Sequence, residues 1–236
     1  MKKYFKITNY INALKSVVRE KYKKSHSQNG EDIIVKFIFD SIGIKTPSYI
    51  DIGAHDPLRM SNTALFYSLG SKGINIEPDP ELFQKITHYR KRDINLNIGI
   101  SREESEMDFY IMSHPALSTF SKEAAMNAHQ EGGASIIEIR KIRTTTIPGI
   151  ISKYWNNKFP DFLSIDVEGL DLEILKSINF SKTFPKVICA ETISYSLTGR
   201  GEKNLELIHY IENNGYLLFA DTYINSIFVK RNLWQR

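Results

Sequence analysis

The stretch Ser48-Tyr-Ile-Asp-Ile-Gly-Ala-His-Asp-Pro57, answered by Gly73-Ile-Asn-Ile-Glu-Pro-Asp79, constrains this chain most. A short apolar strand ends at Asp51-Ile52-Gly53, and a second ends at the acid Glu77. Ser61 to Gly70 between them reads as a helix. This is a βαβ unit with a glycine in its first turn and an acid at the tip of its second strand, a layout that suits a nucleoside ligand. The glycine lets backbone approach the ligand closely. The acid can accept both hydrogen bonds of a ribose diol.

The rest of the chain continues the alternation. Glu31 to Asp40 has apolar residues at helical spacing, and 48–52 and 73–77 are strands. Pro80 opens a helix that runs to about Tyr89. Ile94 to Ile100 alternates apolar and polar residues and predicts one continuous third strand. Two further alternating runs, Glu106 to Met112 and Ile136 to Thr146, interrupt the βα order and predict an insertion over about 106–146 that shapes a substrate pocket. Helices at 147–154, 170–178 and 205–213 then alternate with strands at 162–167 and 186–191. Runs at 216–221 and 226–230, joined by a short turn, close the chain as an antiparallel hairpin. The expected fold is α/β, a mostly parallel doubly wound sheet with a C-terminal antiparallel strand. Residues 1–45 are expected to be an N-terminal helical extension, and 46–236 the domain proper.

Composition bounds the function. The single cysteine, Cys189, lies in an apolar run, which excludes a disulfide framework and a cysteine-based zinc site. No run approaches the ~18 apolar residues that span a bilayer, and no signal peptide is read, so a cytoplasmic setting is expected. Residues 1–25 carry a net +7, whereas the remainder sums to −3. The body is therefore not a nucleic-acid binder. The basic segment has an apolar face at Tyr4, Ile7, Ile11, Leu14 and Val18. It is a candidate for peripheral contact with the inner face of an anionic membrane, or for a homo-oligomer contact.

The turn after the first strand narrows the ligand. A dinucleotide wants G-x-G-x-x-G, but Gly53-Ala-His-Asp-Pro-Leu58 holds one glycine. Pro57 removes a backbone donor where phosphate needs one, and Asp56 adds a negative charge. S-adenosylmethionine, with a ribose, an adenine and a cationic sulfur, meets an acidic turn favourably.

At these residues the chain resembles the FkbM family of S-adenosylmethionine-dependent methyltransferases. The resemblance covers about residues 26–230, through Ser27-Gln-Asn-Gly-Glu-Asp32, Tyr49-Ile-Asp-Ile-Gly-Ala-His55, Ser61-Asn-Thr63, Gly73-Ile-Asn-Ile-Glu-Pro78, Leu117-Ser-Thr-Phe120 and Asp161-Phe-Leu-Ser-Ile-Asp-Val-Glu-Gly-Leu-Asp171. It implies a Rossmann-like class I methyltransferase core and O-methylation of a hydroxyl, often on a sugar or polyketide. The acceptor expected on that basis is a sugar in a glycoconjugate or a glycosylated small molecule. A nucleotide-binding oxidoreductase and a catalytically inactive nucleoside-binding module are the alternatives.

The expected cofactor-binding residues are Asp51, Gly53, Ala54, His55, Asn62, Glu77, Pro78 and Asp166. Asp51 would orient the loop or the cofactor amino group, and Asn62 would cap a helix or reach the cofactor carboxylate. Asp166 and Glu168 share a strand face, and two nearby carboxylates can split their pKa values and supply a base. Asp166, Glu168 and His55 are therefore the catalytic candidates. Glu191, ending the next strand, falls beside them with Glu168 as a substrate contact, and the three acids make Mg²⁺ a candidate ion. The resemblance adds Ser118 and Thr119 as substrate residues, and Ser27, Gln28, Glu31 and Asp32 as part of the pocket's closure.

Overall fold

The computed structural model describes residues 24–130, 133–167, 169–194 and 201–235. The predicted basic helix over Tyr4 to Val18, and Glu168, lie outside them. The strands are β1 (Tyr49–Ile52), β2 (Gly73–Ile76), β3 (Ile94–Leu96), β4 (Gly99–Ile100), β5 (Ser105–Met112), β6 (Ile136–Thr145), β7 (Phe162–Ile165), β8 (Val187–Glu191), β9 (Tyr216–Asp221) and β10 (Asn225–Lys230). The helices are α1 (Glu31–Ser41), α2 (Ala64–Ser68), α3 (Pro80–Tyr89), α4 (Lys122–Gln130), α5 (Ile147–Tyr154), α6 (Asp171–Leu175), α7 (Leu205–Asn213) and α8 (Arg231–Trp234).

Seven strands form the main sheet in the order β3-β2-β1-β7-β8-β10-β9. The neighbours from β3 to β8 pair in parallel. β10 runs antiparallel to both β8 and β9. This is the expected class I methyltransferase topology, with its antiparallel strand supplied by the C-terminal hairpin.

Every residue of β1, β2 and β7 is buried, as parallel strands covered on both faces must be. Alternation along β1 sorts its side chains between two cores. Ile50 and Ile52 join Leu163, Ile188 and the apolar faces of α5 and α7. Tyr49 joins Phe162, Cys189 and Val35, Ile38 and Phe39 of α1 on the other face. Asp51 shares the Tyr49 face and is 4 % exposed, which decides its role below. Helix starts follow local chemistry: Asp79 accepts from the backbone N–H of Glu81 and Leu82 with Pro80 just inside α3. Thr146 caps α5 through Gly149 N, and Asn204 caps α7 through Leu207 N.

The predicted single strand 94–100 is two strands in two sheets. β3 pairs with β2 in the main sheet. β4 leaves it and pairs in parallel with β6, which pairs antiparallel with β5. The inserted sheet has the order β4-β6-β5. Period-two alternation runs unbroken through both pieces, so the sequence pattern alone carries no mark of the change of sheet. α6 is also shorter than the predicted 170–178, and ends at Leu175.

Candidate active site

A cavity of about 270 Å³ opens at the carboxyl edge of the main sheet, where ligands of open α/β sheets lie. Its wall draws on the β1 turn (Gly53, His55), the β2 tip (Glu77, Pro78), the β7 end (Asp166) and the β8 end (Glu191). The inserted sheet contributes the segment from His114 to Phe120. Gln28, exposed, reaches the rim.

Gly53 adopts φ +78°, and a Cβ there would collide with the backbone carbonyl of Asp166. The glycine is thus required by the neighbouring strand end, not only by a ligand. Its N–H and that of Ala54 both donate to Ile76 O, at 3.0 and 3.2 Å, which locks the turn to β2. Ala54 is buried and does not line the cavity.

Glu77 is 5 % exposed. One carboxylate oxygen accepts from His55 N at 2.8 Å, and the other from Asp79 N at 2.8 Å. Each oxygen keeps a lone pair for a further donor, so the acid is aimed while remaining able to take two hydroxyls. Burial, opposed by those two backbone bonds, pushes its carboxyl up to about 7.

Asp51 does not line the cavity. Thr63 Oγ1 donates to it at 2.6 Å, and Thr63 in turn accepts from Arg90 at 2.9 Å. Arg90 is 1 % exposed. It also donates to Pro57 O at 3.0 Å, to Tyr49 Oη at 2.8 Å and to Asp93 at 3.0 Å. Tyr49 Oη, Gly73 N and Asn75 complete the acceptance by Asp93. Asp51 is thereby joined to the loop after β1, through Thr63, Arg90 and Pro57. Asn62 neither caps nor lines the cavity: its amide donates to Ser164 Oγ at 3.2 Å, and Ser61 Oγ accepts from Ala64 N at the helix start instead.

At the ends of the adjacent strands β7 and β8, Asp166 and Glu191 lie beside each other on the cavity wall. A neighbouring carboxylate makes the charged form of an acid less favourable. Burial raises Asp166 above the ordinary carboxylate range, with the nearby Asp51 charge adding to it. Asp171 behind them is pushed up to about 7 by burial and by the Asp166 charge. His55, held at φ 49°, is lowered by burial first, Asp56 opposing and His114 reinforcing. Its imidazole is therefore neutral and able to take a proton at neutral pH.

Ser118 and Thr119 lie on the cavity wall, but their hydroxyls serve the insertion itself. Ser118 Oγ accepts from Met112 N at 3.1 Å, and Thr119 Oγ1 from Ser121 N at 2.9 Å. Glu31 and Asp32 are buried, and their carboxylates are satisfied. Asp32 accepts from Ser25 Oγ, His26 N and Ser27 Oγ. Glu31 accepts from Asn29 N, Thr222 and Asn225. Through His26 the same segment binds Leu58 O and the N–H of Ser61, which ties the 24–32 stretch to the cofactor turn. Among the described residues no three His, Cys, Asp or Glu side chains converge to hold a metal ion; Glu168, the third acid of the Mg²⁺ candidate, lies outside them, and no step below runs through a metal. The same residues contain no helix long and apolar enough to cross a membrane.

Sequence reasoning missed Arg90, Asn97 and Asp171. Arg90 sits in Tyr89-Arg-Lys-Arg-Asp93, which reads as a solvated charge run. Asn97 donates to both Glu77 O and Pro78 O, at 2.8 and 2.9 Å, and so steadies the β2 tip. It left no signal, since Asn97 falls on a regular polar position of the alternating run.

The family model for the methyltransferase FkbM domain matches residues 51–218. No match is found among proteins of curated function. Among solved structures, a TehB-like SAM-dependent methyltransferase from Corynebacterium glutamicum superposes with a TM-score of 0.42 and 11% identity, over 94% of this chain and 97% of its own. An O-methyltransferase from Bacillus cereus in complex with SAH gives 0.41 and 10%, over 92% and 87%.

Proposed function

Because the chain belongs to the FkbM methyltransferase family, whose methyl donor is S-adenosylmethionine, we propose that its acceptor is a hydroxyl of a sugar in a glycoconjugate or a glycosylated small molecule. The residues present fit the donor. Glu77 offers two oriented acceptors for a ribose diol, Gly53 and Pro78 border the same space, and the acids of the β7 and β8 ends favour a cation. When bound, the donor supplies a methyl group activated on a positively charged sulfur.

The observation that supports the acceptor reading is a neutral His55 on the wall of the same cavity as the adjacent acids Asp166 and Glu191. A hydroxyl is a weak nucleophile and must give up its proton as its oxygen gains the methyl. His55 accepts that proton, and the carboxyl pair accepts hydrogen bonds from the reacting or neighbouring hydroxyl and fixes its direction. In the balance, the carbon–oxygen bond forms as the carbon–sulfur bond breaks, and the proton passes to His55 and on to solvent. Two adjacent carboxyl groups suit vicinal sugar hydroxyls, and the half-exposed wall at Ala116 and Leu117 offers apolar surface to a sugar's C–H face. The family membership makes the oxidoreductase alternative untenable. The inactive-module alternative is met by the test.

The test is mass spectrometry of glycans from cells with and without the gene, followed by incubation of the purified protein with isotopically methyl-labelled donor and the glycans that differ. The reading expects a mass increase of one methylene on a sugar, as an ether stable to mild base. Label on nitrogen, as a base-labile ester, or on no glycan would overturn it.

A further inference from the structure

We infer that Phe120, carried by the inserted sheet, packs its ring against the adenine of the donor, so that the insertion recognises the donor as well as the acceptor. This rests on the methyl-donor reading above. The cavity has two unlike ends. Strand order sets them apart: Asp166 and Glu191 stand at the ends of β7 and β8, whereas Pro78 follows β2 and Ile98 and Gly99 follow β3, with the Phe120 ring on Gly99 and beside Phe109. Glu77 stands between them at the β2 tip. A ligand whose ribose diol is held there extends two ways, with its base from one ribose carbon and its charged sulfur from another. The cationic arm belongs at the acidic end. The flat, weakly polar base belongs at the apolar end, where two aromatic rings wait with centroids 4.7 Å apart.

Phe120 is placed there by several independent constraints. Thr119 exchanges both backbone hydrogen bonds with Tyr110, at 2.8 and 3.1 Å, which fastens the segment to β5. The ring of Phe120 then lies over Gly99, where any Cβ would collide with it. A side chain at position 99 would push the ring away, so the first residue of β4 is bare at the point where the ring needs room. The split of the predicted third strand acquires a reason from this: β4 leaves the main sheet to bring the insertion's aromatic ring over the base end of the cavity. The ring is half-buried and lines the cavity.

Titration calorimetry of the full chain with S-adenosylhomocysteine tests the assignment. Phe120→Ala should weaken binding by about tenfold or more, the scale of a base stacked on an aromatic side chain. Gly99→Ala should weaken it similarly by displacing the ring, and Phe120→Tyr should bind like the wild type. Phe120→Leu keeps apolar bulk, so its thermal unfolding controls for folding; its affinity should nevertheless fall with that of Phe120→Ala. S-ribosylhomocysteine, which lacks the base, should bind equally to wild type and Phe120→Ala. The inference is overturned if Phe120→Leu binds S-adenosylhomocysteine as tightly as the wild type, or if Phe120→Ala loses affinity equally for both ligands. A wild type that binds neither ligand overturns the donor reading itself, whereas a wild type that binds alongside unaffected variants overturns this inference alone.

Discussion

Arg90 is a fully buried cation with its donors aimed at four acceptors, and it is the residue through which Asp51, Thr63 and Tyr49 reach the Pro57 carbonyl. Replacing it by Met leaves Asp93 buried without its cation, and the expected loss of stability is about 3–5 kcal/mol, measured by denaturant unfolding. A loss under about 1 kcal/mol would show that the network is not structural. Glu77 makes a different prediction. Its carboxyl is raised to about 7 in the free protein, and a ribose diol needs it ionised. Affinity for S-adenosylhomocysteine should therefore rise as pH increases through about 7, and Glu77→Gln should flatten that profile. The stability linkage has the opposite sign. The folded carboxyl holds its proton above its unfolded value of 4.5, so its contribution is fully present below that value and is lost as pH rises through about 7. A pH-independent wild-type affinity would rule out the ribose role as described.

At the scale of elements, the two short strands β3 and β4 decide the site. Asn97, between them, ties the Glu77 and Pro78 carbonyls. Asn97→Asp keeps its shape but removes both donors. Because it also sets a carboxylate against two carbonyl oxygens, it should lose more than Asn97→Ala, which should lose about 1 kcal/mol of stability, and both should lose affinity for S-adenosylhomocysteine. Wild-type affinity in both variants would contradict that role. The sequence pattern made the core strands and most helices legible because burial on two faces and apolar periodicity leave strong local marks. Gly53 and Glu77 were legible for a similar reason, since a glycine and an acid at strand ends stand out from apolar runs. Three features were not legible. The change of sheet at Asn97 keeps the same alternation on both sides. Arg90 looks like one charge among several until its partners, up to 41 positions away, come together. The buried Asp171 carries no local mark, because its acid reads as an ordinary first-turn residue of a helix.

At the scale of the whole molecule, a mixed sheet with a helical layer on each face supplies a rigid edge, and the inserted sheet leans over that edge to complete the cavity. Its wall therefore combines the strand ends of the main sheet with Phe109 and the segment from His114 to Phe120 of the insertion. A ligand bridging them should stabilise the chain as a unit, by about 2.7 kcal/mol at a hundredfold excess over its dissociation constant, readable as a shift in thermal unfolding. The central claim is that this cavity holds the methyl donor through Glu77. Calorimetric titration of the full chain with S-adenosylhomocysteine tests it most directly, with Glu77→Ala beside the wild type. Saturable one-to-one binding by the wild type and binding at least about tenfold weaker in the variant are the predicted result. No binding by the wild type at millimolar ligand, or equal affinity in the two proteins, would contradict it.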